Sequence, residues 1–93
     1  MAEPPPPPFK VDVSEAARDD LSREPDLIKS ANGVLLRAAN ELKNQLEMGQ
    51  NVARDVHGKS EAVTVRVSLV PPDQVRIEGI TPGDIVPEDA IVV

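Results

Sequence analysis

The chain contains no cysteine, no tryptophan and no tyrosine, and Phe9 is its one aromatic residue. Without cysteine there is no disulfide, no thiolate nucleophile and no cysteine-ligated zinc cluster, a composition suited to a reducing cytosol. Without large aromatics the core must be assembled from valine, leucine, isoleucine and alanine, which bury less area per residue. For a single domain of 93 residues that makes a compact monomer marginal. Positive charge is also scarce: ten Lys and Arg stand against sixteen Asp and Glu, for a net charge of −6. A nucleic-acid partner needs a clustered basic surface, and a basic membrane-surface helix needs the same, so neither is expected. No apolar run reaches the ~20 residues of a bilayer span, and no basic-then-apolar leader opens the sequence. Glycine-rich phosphate loops and internal repeats are missing. His57 is the one histidine, with no Cys or acid at ligand spacing, so it reads as a residue closing a helix. The adjacent acids Asp19 and Asp20 would point about 100° apart on a helix, so they read as solvated rather than as a metal site. The expectation is no catalytic set, no metal, no cofactor and no small-molecule substrate.

What the chain does have begins with five consecutive prolines, Pro4, Pro5, Pro6, Pro7 and Pro8. They fix φ and donate no hydrogen bonds, which predicts a stiff polyproline II arm of roughly 15 Å over residues 4–8. The arm suits a neighbouring subunit, a spacer, or a Pro-recognising groove with Lys10 as the flanking base. Phe9-Lys10-Val11-Asp12-Val13 alternates, predicting a strand with Phe9, Val11 and Val13 on the buried face. Ser14 followed by Glu15 is a helix start, and a short helix is expected through Leu21.

The segment 25–56 carries the longest helical periodicity. Ile28, Ala31, Leu35, Ala38, Leu42, Leu46, Gly49, Val52 and Val56 recur at spacings of three and four, with Leu27 and Val34 widening the stripe. Lys29, Arg37, Glu41, Lys43, Asn44, Glu47 and Arg54 fall on the opposite face. Pro25 suits the first helical position, and His57-Gly58 supplies a stop with Gly58 as a left-handed cap. A continuous helix would run about 48 Å. Gly33 is expected to stay within it, while Gly49-Gln50-Asn51 allows a kink or an end near Met48. A coiled coil is less apt, because Gln45 and Gly49 fall on the seam.

Residues 61–70 alternate strictly, with Val63, Val65, Val67 and Leu69 on one face and Thr64, Arg66 and Ser68 on the other. Pro71-Pro72-Asp73-Gln74 makes the turn, and Val75-Arg76-Ile77-Glu78 alternates again: an antiparallel hairpin. Arg66, Arg76 and Glu78 share its outer face. Thr81-Pro82-Gly83-Asp84 has the pattern of a type II turn. The apolar tail 85–93, interrupted by Pro87, needs a home: its own sheet edge, a neighbour's sheet, or a carboxylate pocket that would read Ile91-Val92-Val93.

These elements predict an α+β domain, with one long helix packed on a small antiparallel sheet of the N-terminal strand plus the hairpin. Residues 1–8 form an arm, 9–84 a single domain and 85–93 a tail. The strand at 9–13, the Ala-rich stretch Leu35-Leu36-Arg37-Ala38-Ala39-Asn40-Glu41-Leu42 and the Val-rich hairpin 63–77 resemble in layout the small α+β head–tail joining and tail-completion proteins of tailed-phage necks. The Pro-x-(Asp/Asn)-Thr-Gly signature of one such family is missing from this sequence. The resemblance implies a non-enzymatic, ring-forming structural protein of the virion, assembled in the host cytoplasm, with homo-oligomeric and neighbouring structural partners. Under that reading the contact residues are Pro4, Pro5, Pro6, Pro7, Pro8 and Phe9 in one arm and Ile85, Val86, Ile91, Val92 and Val93 in the other. Leu27, Val34, Leu35, Leu42 and Leu46 would form the packing stripe. A small cytosolic adaptor, binding one protein through its helix stripe or sheet edge, shares most of these features.

Overall fold

The computed structural model describes residues 9–93, so the expected polyproline arm, Pro4 to Pro8, lies outside the described residues. Three helices cover one face of a five-stranded mixed sheet, a two-layer α+β arrangement. The strands are β1 (Lys10–Val13), β2 (Ala53–Gly58), β3 (Val63–Val70), β4 (Gln74–Pro82) and β5 (Ile91–Val92), in the order β1-β4-β3-β2-β5. The helices are α1 (Glu15–Arg23), α2 (Leu27–Arg37) and α3 (Ala39–Glu47).

Local chemistry explains the first half. Ser14 caps α1, its Oγ accepting the Ala17 N–H at 3.2 Å, and the same hydroxyl donates to the Glu78 carbonyl at 3.4 Å. The cap thus also ties the β1–α1 junction to β4. Residues 25–26 form a turn, and α2 starts at Leu27, two residues after the expected first position at Pro25. Gly33 lies inside α2, as its phase predicts.

The single long helix is not present. Ala38, at φ −91° and ψ 5°, separates α2 from α3. The i→i−4 bonds continue across it, from Ala38 N–H to Val34 and from Leu42 N–H to Ala38, both 3.0 Å, so the joint is a kink that keeps the apolar stripe in phase. The second departure is larger. Gly49 takes φ 75°; its N–H donates to Leu46 and that of Gln50 to Gln45. This is a Schellman motif, and it ends α3. The chain beyond it is β2, not helix, so Val56, placed on the helix stripe by its spacing, is instead an inward residue of a strand. His57 and Gly58 accordingly close no helix. Gly58 is required for a different reason, a close approach: a side-chain carbon there would lie 2.3 Å from Val34 Cγ2.

The sheet is larger than expected and mixed. The hairpin β3–β4 is present, with Val70 opposite Gln74. To it the structure adds β2 antiparallel to β3, while β1 joins β4 and β5 joins β2 in parallel. β4 also runs further than its alternation suggests, because of a bulge. Arg66 pairs with Gly79 while Val67 pairs with Ile77, which leaves Glu78 unpaired. The extra residue resets the alternation, so Ile77 and Ile80 both face the helices and both are buried.

The core comprises Phe9, the helix residues Ala17, Leu27, Ala31, Val34, Leu35, Leu42 and Leu46, Ala38 at the kink, and the inward residues of β2, β3 and β4. Phe9 is buried as expected. Val11 is not: it is 39% exposed, because β1 is an edge strand and its end is not roofed. Val13 is half-buried.

Candidate protein-binding edge

The two edges of the sheet differ in chemistry. On β1, Lys10 N–H donates to Asp73 at 2.7 Å and Ser14 N–H to Ile77 at 2.9 Å. Even-numbered residues therefore bond β4, and Val11 and Val13 turn their amides outward. Asp12 blunts this edge. Its Oδ1 accepts the outward Val13 N–H at 2.9 Å, and its Oδ2 lies 3.5 Å from Arg76 Nε. A charge and a satisfied amide at an exposed edge are what deters pairing with another chain.

On the β2–β5 edge Asp55 likewise pairs with an arginine, Arg66, but no side chain among the described residues takes an outward amide of β2 as Asp12 takes that of Val13. Leu69 N–H donates to the Val52 carbonyl at 2.9 Å, so even-numbered residues of β2 face β3 and Ala53, Asp55 and His57 turn their amides away. β5 and the residue after it, Val93, cover that far side from Val56 to Gly58. Val93 N–H donates to His57 C=O at 2.9 Å, and Lys59 N–H to Val93 C=O at 3.0 Å. Upstream, at residues 53–55, β2 pairs with β3 on one side and has no described strand on the other.

Exposed large apolar residues are found near this edge: Val52 directly precedes β2, Val92 is in β5, and Ile85 and Val86 lie on the segment that leads to β5; Met48 ends α3 and Val11 lies on β1. Ile85 is 87% exposed. It stands on the segment 83–90, which carries the chain from the end of β4 across to β5. Gly83 N–H donates to Ala62 C=O at 2.7 Å, and the Thr64 hydroxyl donates to Ile85 C=O at 3.5 Å. Under this crossover lies an open concavity of about 360 Å3, lined by Asp55, Thr64, Arg66, Thr81, Ile85 and Pro87.

His57 faces the outer side of β2 and is 3% exposed. Its Nδ1 lies 2.9 Å from Thr64 Oγ1. The same Thr64 hydroxyl reaches Ile85 C=O, so His57 and the crossover meet at one side chain. The histidine thus props the crossover segment. The outer-face arginines find acids on other strands rather than the hairpin partner Glu78: Arg66 Nε lies 3.3 Å from Asp55 and Arg76 pairs with Asp12. Asp20 accepts the Ile80 N–H at 3.4 Å. Arg37 and Glu61 form a bidentate ion pair joining α2 to the β2–β3 turn, and Arg37 Nη2 also donates to Val93 C=O at 3.5 Å. The guanidinium holds the Glu61 carboxyl below its usual range, against the opposing effect of burial. Among the described residues no group of three or more His, Cys, Asp or Glu is placed to hold a metal ion, and no helix is long and apolar enough to cross a membrane.

The residues singled out from the sequence divide into three groups. Leu27, Val34, Leu35, Leu42 and Leu46 are at most 8% exposed, packed on the chain's own sheet, as is Phe9. Ile91 and Val93 pack against the same core, and Ile91 and Val92 form β5 on the chain's own β2 edge. Ile85, Val86 and Val92 remain at the surface. Sequence reasoning missed the open stretch of β2 at residues 53–55, because periodicity placed those residues on a helix; the Gly49-Gln50-Asn51 punctuation was the available signal. Comparison with protein-family models, with curated proteins and with solved structures finds no match to this chain.

Proposed function

We infer that the chain is a non-enzymatic structural or assembly subunit that works by protein–protein contact along its β2–β5 edge. The observation that carries this reading is Ile85, 87% exposed beside the exposed Val86, on a crossover tied to the sheet through Ala62 and Thr64. Isolated apolar residues at a surface are ordinary. Here they border an open strand edge, while the opposite edge is blunted by Asp12. Full burial of Ile85 would contribute roughly 1.5–3 kcal/mol to an association.

The layout of short strand, Ala-containing helices and Val-rich hairpin favours a specific setting: a virion neck or tail component that forms a ring with copies of itself and with neighbouring structural proteins. The concavity beside Asp55 supports the second reading, a small cytosolic adaptor receiving one extended peptide from a protein partner. The test is Ile85→Asp in the full chain, followed by sedimentation velocity over a concentration series. Association weakened tenfold or more, with unchanged unfolding midpoint, is the expected result; identical sedimentation of the two chains contradicts the reading.

A further inference from the structure

We propose that β5 is an exchange arm, and that residues 88–93 of one copy add to β2 of a second copy as a longer parallel strand than β5 forms on its own chain. The proposal rests on the assembly reading above and names its partner, another molecule of this chain.

In the closed form β5 is two residues long. It is reached through residues 83–90, which belong to no helix or strand and which are tied to the sheet among the described residues by the Gly83–Ala62 and Thr64–Ile85 hydrogen bonds. So short a parallel strand on so exposed a connection belongs to the least stable part of the fold. The groove it leaves is matched to Ile91, Val92 and Val93, and the same residues of a second copy fit it by identity of sequence, which is why exchange between copies costs little.

The register says why exchange gains something. β5 pairs Ile91 with Val56 and Val92 with His57. Continued backward in the same register, Ala90 falls beside Asp55, Asp89 beside Arg54 and Glu88 beside Ala53, the stretch of β2 that lies open. Pro87, which has no N–H, would then end the strand opposite Val52. On its own chain this extension is not made, because the segment arrives from β4 and turns, with Ala90 N–H donating to Pro87 C=O at 3.2 Å. An arm arriving from a second molecule has no such turn to make. It pairs along residues 53–57, sets the Asp89 carboxylate near the Arg54 side chain, and draws Ile85 and Val86 toward the exposed Val52 and Met48 of the receiving copy. The contact is head-to-tail, so it closes into a ring or continues as a filament according to the angle between copies.

The chain has no cysteine, which allows a direct test. In the double variant Ala53→Cys, Glu88→Cys, both positions are exposed and would become neighbours in the lengthened register. Mild oxidation is expected to give covalent dimers and higher bands on a denaturing gel. A mixture of the two single variants is expected to give a mixed dimer. A disulfide formed within one chain, with no gain in mass, overturns the proposal. So does the absence of any link in a sample that light scattering shows to be oligomeric, a result that leaves the assembly reading standing. Monomeric mass at all concentrations overturns both. Filtered nuclear Overhauser spectra of mixed labelled and unlabelled wild-type chain check the same contact without substitution: Ile91–Val56 cross-peaks between molecules are expected, and their absence in an oligomer counts against the arm.

Discussion

Gly58 of β2 and Val34 of α2 approach so closely that a Cβ at residue 58 would sit 2.3 Å from Val34 Cγ2 and 2.7 Å from Glu61 Oε1. The helix layer is seated on the sheet at this point, and no L side chain fits between them. Gly58→Ala is expected to destabilise the fold by about 1–3 kcal/mol through overpacking, read as a lower urea midpoint at unchanged slope. Adding Val34→Ala should recover part of that loss, with a coupling on the order of 1 kcal/mol. Strict additivity would mean that the two residues do not touch.

Beside that contact, the Arg37–Glu61 pair gives the fold a defined acid response. The Glu61 carboxyl is held below its ordinary range by the Arg37 hydrogen bonds. Its contribution is therefore complete above the unfolded-state value of about 4.3 and is lost as pH falls through the depressed folded value. The pair is partly solvated, with side chains 40% and 17% exposed, so the contribution is below about 1 kcal/mol. Unfolding midpoints measured from pH 7 down to pH 3 should fall less steeply for Glu61→Gln than for the wild type. Parallel curves would show that the pair does not govern the acid limb.

The sheet edge at β1 is held closed by one residue. Asp12→Ala removes the carboxylate that takes the outward Val13 N–H and also unpairs Arg76. Stability should change by less than about 1 kcal/mol. Self-association should rise through the newly open edge, and it should persist in a chain ending at Ala90, which lacks β5. Light scattering of that doubly altered chain reads the effect; a monomer would assign the protection of this edge to Lys10 or to another feature.

Gly49 sits at φ 75° as the left-handed residue that ends α3, with no atom within 4 Å of where a Cβ would lie. Gly49→Ala therefore isolates the conformational cost, about 1 kcal/mol. A neutral result would mean that α3 frays past Glu47 without penalty.

Much of the fold was legible in the residues. Strict alternation through residues 63–70 placed Val63, Val65, Val67 and Leu69 in the core, and Ser14 marked the start of α1, because both signals are local. The long helix was misread because residues 49–56 keep an apolar spacing of three and four that is equally compatible with β2 once Gly49 has turned the chain. Periodicity alone cannot weigh a strand whose partner, β3, begins downstream at Val63. The bulge at Glu78 was hidden for a similar reason: one inserted residue looks like a break in alternation until Ile80 is seen facing the helices. Burial of His57 followed from a crossover segment and a hydroxyl on β3, neither of which its neighbours in sequence announce. At the candidate edge, the apolar character of Ile85, Val86 and Ile91-Val92-Val93 was plain in the sequence. That Ile91 and Val92 lie on the chain's own β2 while Ile85 and Val86 stay exposed depended on the sheet order.

The central claim, that this chain assembles with copies of itself through the β2–β5 edge, is tested most directly by its mass in solution. Light scattering behind gel filtration, from micromolar to near-millimolar chain, should show mass rising with concentration for the wild type and staying at one chain, 10.0 kDa or slightly less, for a chain ending at Ala90. A wild-type mass fixed at 10.0 kDa across that range would contradict the account.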